Sequence, residues 1–374
     1  MQYVSKGTSN RLFRTRNFYT SSIDERPVQQ VLLYRPTEYE GGELMKNKER
    51  FKVLITDPIL NEMVNQAKKN FPEYAPKIDW VLAEKGSEEE LMQKVPGVDI
   101  LAGARNRINK NILDKADNVS FIQQCSAGYD NVDIKAAREK GINVSNAGGA
   151  GVIPVAEHTI MLMLAVSKNL AECDRTMKAG EWIFGKCVAK VYELRDKTLG
   201  IFGLGKIGSQ VAKLAHGFGM KIQYYDPYRK DTSDLEFPVK NVTLEELMKT
   251  SDYVSVNALL TPETRGIIGK KELETMKPTA YFINTSRGAI ADELALADIL
   301  AQKKIRGAAI DVYGDHGDPP GKEYWSKLQK LDNVVLNPHI GGVTAEDLYR
   351  NFYVNSLGNI IRVVKGEKPL WIVN

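Results

Sequence analysis

Residues 198–226 read T-L-G-I-F-G-L-G-K-I-G-S-Q-V-A-K-L-A-H-G-F-G-M-K-I-Q-Y-Y-D. A short apolar run ends at Gly203, and Gly205 and Gly208 complete a G-x-G-x-x-G spacing. Apolar residues then recur at helical intervals, and a second apolar run ends at Asp226. This order of strand, glycine turn, helix and strand predicts one βαβ unit.

Each glycine of the turn has a steric reason to be there. The first permits a tight turn, the second lets the backbone approach a pyrophosphate, and the third lets the helix pack close to the strand. The phosphates then bind unpaired N–H groups at the helix N-terminus. Asp226 follows Gly208 by 18 residues, close to the spacing of about 20 expected for an acid that binds a ribose hydroxyl. The complete unit predicts a dinucleotide site.

The acid at the end of the second strand also bears on the choice of cofactor. A carboxylate at Asp226 repels a 2′-phosphate, so the sequence favours NAD. Arg229 and Lys230 lie just beyond it, and they leave NADP as an open alternative.

The bulk properties of the chain limit its class. At 374 residues the chain is too long to fold around one compact core, so two domains are expected. The net charge of +4 gives little reason to expect nucleic acid. Three cysteines without metal-ligand spacing indicate free thiols in a reducing, cytoplasmic compartment and no metal site. No apolar run reaches the roughly 18 residues of a membrane span.

The N-terminal segment differs in composition from the rest. Residues 1–23 contain basic residues and many hydroxyl side chains but no acid. An organelle presequence, which would place the protein in the mitochondrial matrix, has this composition. A plain extension of the chain is the other interpretation. We assign residues 1–50 to an N-terminal extension.

From Lys52 onward, strand-like runs alternate with helical stretches, which predicts an α/β fold with two doubly wound, parallel-sheet, Rossmann-like domains and a cleft between them. We expect a substrate (catalytic) domain at 51–150, completed by 343–374, and a dinucleotide-binding domain at 151–342. A long apolar helix is predicted at 154–170.

Polar side chains follow three predicted strands of the second domain. They are Arg287, Asp311 and His339. Because such sheets bind ligands at the carboxyl ends of their strands, we expect these side chains to face one crevice. Arg offers a planar fork to a carboxylate, and His transfers a proton near neutral pH. The set suits carbonyl reduction, although a surface ion pair for Arg287 and a structural role for His339 are alternatives.

The chain resembles the D-isomer-specific 2-hydroxyacid dehydrogenase family over about residues 52–370. Eight motifs in order carry the resemblance: S-A-G-Y-D-N-V-D (126–133), V-A-E-H-T (155–159), G-L-G-K-I-G (203–208), Y-D-P-Y (225–228), L-T-P-E-T (260–264), N-T-S-R-G (284–288), G-A-A-I-D-V (307–312) and N-P-H-I-G-G (337–342). The resemblance implies an NAD-dependent enzyme that interconverts a D-2-hydroxy acid and a 2-oxo acid, and a homodimer with the helix at 154–170 in its interface.

The resemblance also implies roles for individual residues. Arg287 would bind the 2-oxo acid, His339 would donate the proton, and Asp311 would contact the nicotinamide carboxamide. The cofactor contacts would be Gly203, Gly205, Lys206, Ile207, Gly208, Asp226, Thr285 and Asp311. Backbone at Gly103, Ala104, Ala127 and Gly128 would hold the substrate carboxylate. His158, on the apolar helix, is interpreted as a structural or interface residue.

One loop departs from the family pattern. The family places a Glu-Pro pair after the strand that ends at Asp311, and that Glu partners the catalytic His. Here the loop reads V-Y-G-D-H-G-D-P-P (312–320). Ungapped counting gives His316 at the Glu position, whereas a two-residue shift gives Asp318, which keeps a carboxylate before a proline. We favour Asp318 as the third catalytic residue.

A binding protein that senses NAD(H), like the corepressors that share this fold, is the alternative that the altered loop leaves open. Neither the cofactor motif nor the strand-end residues name the substrate.

Overall fold

The computed structural model describes residues 48–188, 190–314 and 320–374, all of which lie in one compact unit. The predicted N-terminal extension at residues 1–50 falls almost wholly outside these residues, and so do both candidates for the acid of the altered loop, His316 and Asp318.

The first sheet has five parallel strands in the order β2-β1-β3-β4-β5. They are β1 (Phe51–Ile55), β2 (Ile78–Leu82), β3 (Ile100–Gly103), β4 (Phe121–Gln124) and β5 (Asn143–Ser145). The helices between them are α1 (Met63–Asn70), α2 (Glu88–Lys94), α3 (Lys110–Asp114) and α4 (Ile134–Glu139). Ser87, Asn109 and Asp133 begin α2, α3 and α4 by accepting a backbone N–H, as polar N-cap residues do.

The second sheet has seven parallel strands in the order β12-β11-β10-β9-β6-β7-β8. They are β6 (Thr198–Phe202), β7 (Lys221–Tyr225), β8 (Val239–Asn241), β9 (Tyr253–Val256), β10 (Tyr281–Asn284), β11 (Gly307–Ile310) and β12 (Val334–Leu336). The chain order reverses direction between β6 and β9. A ligand of such a sheet binds at this switch point.

Helices cover both faces of the second sheet. The helices that follow its strands are α8 (Lys206–Gly217), α9 (Leu244–Thr250), α10 (Lys270–Glu274), α11 (Glu293–Ala301) and α12 (Lys322–Leu328). Before the sheet come α5 (Val152–Ser167), α6 (Leu170–Lys178) and α7 (Phe184–Cys187). Buried apolar residues of α5 pack against β6 and α8 in one cluster, and α11 packs against the opposite face in another.

The C-terminal helices return to the first sheet. They are α13 (Ala345–Leu348), a π-helical segment (Tyr349–Ser356) and α14 (Leu357–Val364). Leu357 and Ile360 of α14 join the buried cluster that contains Val53 and Ile55 of β1. The start of α5 is bonded to α13, because the backbone N–H of Gly151 donates to the Asp347 carboxylate at 3.1 Å.

The observed elements confirm an α/β fold built on two doubly wound parallel sheets. The sequence pattern does not indicate β8, because this strand is three residues long and half-exposed to exposed and so carries no buried apolar run. The predicted bounds of the helix at 154–170 were wrong. It begins at Val152 and ends at Ser167, and Asn169 at φ +53° turns the chain into α6.

Candidate active site

The glycine turn between β6 and α8 has the geometry that a bound pyrophosphate requires. Gly203 has φ +90°, and a Cβ there would lie 2.6 Å from backbone atoms of Ala258. A Cβ at Gly208 would lie 2.1 Å from the carbonyl oxygen of Gly203, so only glycine allows the helix this close to the strand. At Gly205 a Cβ meets no protein atom within 4 Å. The second glycine therefore leaves open space above the N-terminus of α8, where Lys206 and Ile207 begin the helix.

Asp226 closes the edge of this site. Its Oδ2 accepts the N–H of Leu204 at 2.9 Å, and its Oδ1 accepts the N–H groups of Tyr228 and Arg229 at 2.9 and 3.1 Å. A pocket of about 410 Å³ lies over it, lined by Leu204, Gly205, Lys206, Ser209, Asp226, Tyr228, Arg229 and Asp234. The residues present fit a dinucleotide with its ribose at the carboxylate.

Arg229 lies in the same pocket, but its guanidinium bonds to the protein. Nη1 donates to the Leu204 carbonyl at 2.7 Å and to Ser209 Oγ at 2.6 Å, and Nη2 pairs with Asp234. An arginine held in this way is not poised to receive a 2′-phosphate. Its geometry supports the preference for NAD that Asp226 predicts.

Asp311 follows β11 and is 1% exposed. Its carboxylate accepts the N–H groups of Ile340 and Gly341 at 3.0 and 2.8 Å. Burial raises the pKa of Asp311, but contact with His158 and the two backbone N–H groups outweigh burial, so the pKa lies below its ordinary value. Asp311 thereby fixes the loop that carries His339.

His158 lies against this carboxylate rather than at a distance from the site. Its Nε2 is 3.4 Å from Asp311 Oδ1. The same nitrogen is buried and has no aligned hydrogen-bond partner among the described residues. We therefore describe the pair as an electrostatic contact and not as a full hydrogen bond. His158 therefore lies beside the candidate site, and its interpretation as a structural or interface residue stays a prediction.

His339 follows β12 and is half-buried, with φ +55°. A non-glycine residue in this left-handed region is uncommon, and it is held there by the two hydrogen bonds that Asp311 accepts from the next residues. The backbone thus presents the imidazole at the carboxyl end of the sheet, on the same edge as Asp311.

Arg287 follows β10 in a segment fixed by Asn284, which donates to the Arg287 carbonyl at 2.9 Å. Its guanidinium reaches the first sheet's loop and pairs with Asp130, Nη2 lying 2.9 Å from Oδ1. Thr285, a predicted cofactor contact, follows the same strand. Its Oγ1 is buried and lies 2.9 Å from Oγ1 of Thr159.

The proposed substrate backbone lies where the first sheet's strands end. Gly103 ends β3, and a Cβ there would lie 2.6 Å from Thr56 Oγ1. The carbonyl of Ala104 accepts from Gln124 Nε2 at 2.6 Å, and that of Ala127 accepts from Asn146 Nδ2 at 2.8 Å. These bonds hold the turns after β3 and β4 in fixed conformations.

Gly128 lies beside the ion pair between Arg287 and Asp130. A Cβ on Gly128 would lie 2.0 Å from Arg287 Nη2 and 3.1 Å from Asp130 Oδ1. The absence of a side chain therefore makes room for the guanidinium. The structure brings Arg287, Gly128 and Asp130 together, and it groups Asp311, His158 and the backbone beside His339.

Comparison with known proteins places this arrangement in a family. Residues 160–341 match the model of the D-isomer specific 2-hydroxyacid dehydrogenase, NAD binding domain. A hydroxypyruvate reductase of Thermotoga maritima is 39% identical over 79% of this chain and 93% of its own length. A glyoxylate reductase of Thermococcus litoralis is 40% identical over 76% of this chain and 86% of its own.

A solved structure agrees with these relatives. The crystal structure of a glyoxylate reductase from Paecilomyes thermophila superposes with a TM-score of 0.77 and 30% identity, covering 87% of this chain and 98% of that one. The chain belongs to the D-isomer-specific 2-hydroxyacid dehydrogenase family and is an NAD-dependent oxidoreductase. The binding-protein alternative is not favoured, since the relatives are named as reductases and dehydrogenases.

Two findings hold for residues 48–188, 190–314 and 320–374. These residues contain no helix long and apolar enough to cross a membrane. They also contain no group of three or more His, Cys, Asp or Glu side chains placed to hold a metal ion.

Proposed function

We propose that the protein interconverts a small 2-oxo acid and the corresponding D-2-hydroxy acid. The observation that carries this proposal is the placement of Arg287 at the end of β10, with its guanidinium against Gly128 and Asp130 of the opposite sheet. A cation held between the two sheets, one of which carries the dinucleotide site, suits an anionic substrate. The relatives named hydroxypyruvate reductase and glyoxylate reductase support a substrate with a short side chain.

We assign the chemistry as follows. NADH supplies the hydride when it is bound. Arg287 binds the substrate carboxylate and polarises the adjacent carbonyl, because its planar fork matches two oxygens. His339 donates the proton that the carbonyl oxygen gains on reduction. Backbone at Gly103, Ala104, Ala127 and Gly128 completes the carboxylate site. Asp318, or His316 in its place, partners His339.

The domain assignment is part of the same proposal. Residues 51–150 with 343–374 form the substrate domain, and residues 151–342 form the NAD-binding domain. The return of α14 to the β1 cluster supports it. The exposed apolar side chains of Met161 and Leu170 support a homodimer with the helix predicted at 154–170 in its interface. Free thiols at Cys125, Cys173 and Cys187 support a cytoplasmic location.

The test is a substrate screen. Oxidation of NADH is followed with glyoxylate, hydroxypyruvate and longer 2-oxo acids, and the configuration of the product is determined for every acid except glyoxylate, whose product has no stereocentre. We expect turnover of the short acids and a D-configured product. An enzyme that yields the L-isomer, or that oxidises NADH with none of these acids, contradicts the proposal.

A further inference from the structure

Asp130 and Arg287 form an ion pair that joins the two sheets. Asp130 lies in the loop after β4 and Arg287 in the turn after β10, 157 residues apart. Nε donates to Oδ1 and Oδ2 at 3.2 and 3.1 Å, and Nη2 donates to Oδ1 at 2.9 Å. The side chain of Arg287 is only 22% exposed and that of Asp130 only 17%. This is a side-on, charge-assisted contact, which fixes the orientation of the guanidinium as well as pairing its charge.

The loop that carries Asp130 is itself held in place. Ser126 Oγ and Gln124 Nε2 donate to the Gly128 carbonyl at 2.8 and 3.2 Å. Asn131 Nδ2 donates to the Asn106 carbonyl at 2.8 Å, and the Asn131 carbonyl accepts from Ile108 at 2.8 Å. Asp130 is therefore a fixed point against which a long, flexible arginine side chain is oriented.

Asp130 occupies one edge of the Arg287 guanidinium, and the Ser286 carbonyl accepts from the remaining terminal nitrogen. Nε and one N–H of Nη2 face Asp130, and one N–H of Nη1 donates to the Ser286 carbonyl at 2.8 Å. Since a guanidinium carries five N–H donors, these contacts within the described residues leave one donor on each terminal nitrogen. A substrate carboxylate or carbonyl can accept from those two donors while the pair with Asp130 stays intact.

We propose that Asp130 is a positioning residue of the active site, whose carboxylate holds the Arg287 guanidinium so that its terminal N–H groups face the 2-oxo acid. The inference rests on the proposed function, since it assigns substrate binding to Arg287. It assigns a role to Asp130, which lies in a motif of the resemblance but has no role implied by it. It also explains why the position next to the guanidinium is Gly128, where any side chain would displace the arginine.

The test compares Asp130→Asn, Asp130→Glu and the wild type in NADH oxidation with glyoxylate and hydroxypyruvate. Asn keeps the shape of Asp130 but loses its charge, so the guanidinium is no longer locked. We expect kcat/KM for the 2-oxo acid to fall by about 100-fold, since misplacing a catalytic group by about 1 Å costs that much. The Kd for NADH and the melting temperature should not change. Asp130→Glu, which retains the carboxylate, should recover part of the loss.

Asp114→Asn is the matched control. It removes the same charge from an exposed pair with Lys110 on α3, away from the site, and should leave kcat/KM unchanged. Wild-type kcat/KM in Asp130→Asn overturns the proposal, and so does a lower KM, which would make Asp130 a competitor of the substrate. A loss accompanied by a large fall in melting temperature or by weaker NADH binding also overturns it, because the pair would then be structural.

Arg287→Ala separates this inference from the proposed function. If Arg287→Ala keeps wild-type turnover, the proposed function fails whatever Asp130→Asn does. If Arg287→Ala loses turnover while Asp130→Asn keeps it, the proposed function stands and only the role of Asp130 fails.

Discussion

Substituting Gly128 by alanine should damage catalysis without damaging the fold. The φ of Gly128 lies outside the left-handed region, so alanine suits its backbone. The added Cβ would lie 2.0 Å from Arg287 Nη2, whereas ordinary van der Waals contact begins at 3.4 Å. The difference, 3.4 − 2.0 = 1.4 Å, is the smallest shift that relieves the contact. The end of a long arginine side chain can make that shift at little cost in stability.

The size of the catalytic effect follows from that shift. A misplacement of about 1 Å lowers a rate by about 100-fold, which corresponds to about 2.7 kcal/mol of transition-state stabilisation. We therefore expect Gly128→Ala to lower kcat/KM for a short 2-oxo acid by about 100-fold, with the Kd for NADH and the melting temperature unchanged.

The assay is initial-rate NADH oxidation together with thermal unfolding. Gly358→Ala is the control, because Gly358 lies in α14 and an added Cβ there meets no atom within 4 Å. The control should keep wild-type kcat/KM and gain slightly in stability, since alanine is the better helix former. Wild-type kcat/KM in Gly128→Ala would refute the placement of Arg287 over this loop.

Three further predictions concern charge and burial. Asp311→Asn should lower the free energy of unfolding by roughly 2 kcal/mol at pH 7. Because the pKa of Asp311 in the folded protein is depressed, the wild type has this advantage in full above the ordinary carboxyl pKa of 3.8 and loses it as the pH falls through the folded pKa. Urea unfolding of both proteins at pH 7 and pH 3 should show the difference in unfolding free energy shrink at pH 3. An equal difference at both pH values would contradict this. Asp226→Ala should raise the KM for NADH about tenfold and increase kcat/KM for NADPH relative to NADH. Initial rates with each cofactor measure both effects. An unchanged cofactor preference would refute the role of the carboxylate. Burial raises the pKa of Cys125 to about 12, so native protein should resist alkylation there by mass spectrometry and react only after unfolding; rapid native modification of Cys125 would show that it is accessible.

Much of the fold was readable from local sequence pattern. Buried parallel strands have continuous apolar runs, so β6 and β10 stood out, and the glycine turn at 203–208 located the dinucleotide site. β8 was not readable, because an edge strand of three residues with one apolar side chain has no such run. Asn169 was a missed signal, since asparagine adopts the left-handed conformation more readily than most residues and here ends α5.

The candidate site was predicted only in part, because its contacts join distant residues. Arg287, Asp311 and His339 each follow a strand, which is a local feature. The sequence showed Asp130 only as part of a motif and did not predict its ion pair, because Arg287 lies 157 residues away and follows a strand of the other sheet. His158 and Asp311 lie far apart in the sequence, so no motif of fixed spacing predicts their contact.

Arg287 and His339 are the residues proposed to carry out the reduction of a 2-oxo acid. The most direct measurement is the rate of NADH oxidation with glyoxylate and hydroxypyruvate by the wild type, Arg287→Ala and His339→Gln, alongside the Kd of each protein for NADH. We predict turnover by the wild type and losses on the order of 10³-fold in both variants, with NADH binding retained. Wild-type rates in both variants would contradict the account.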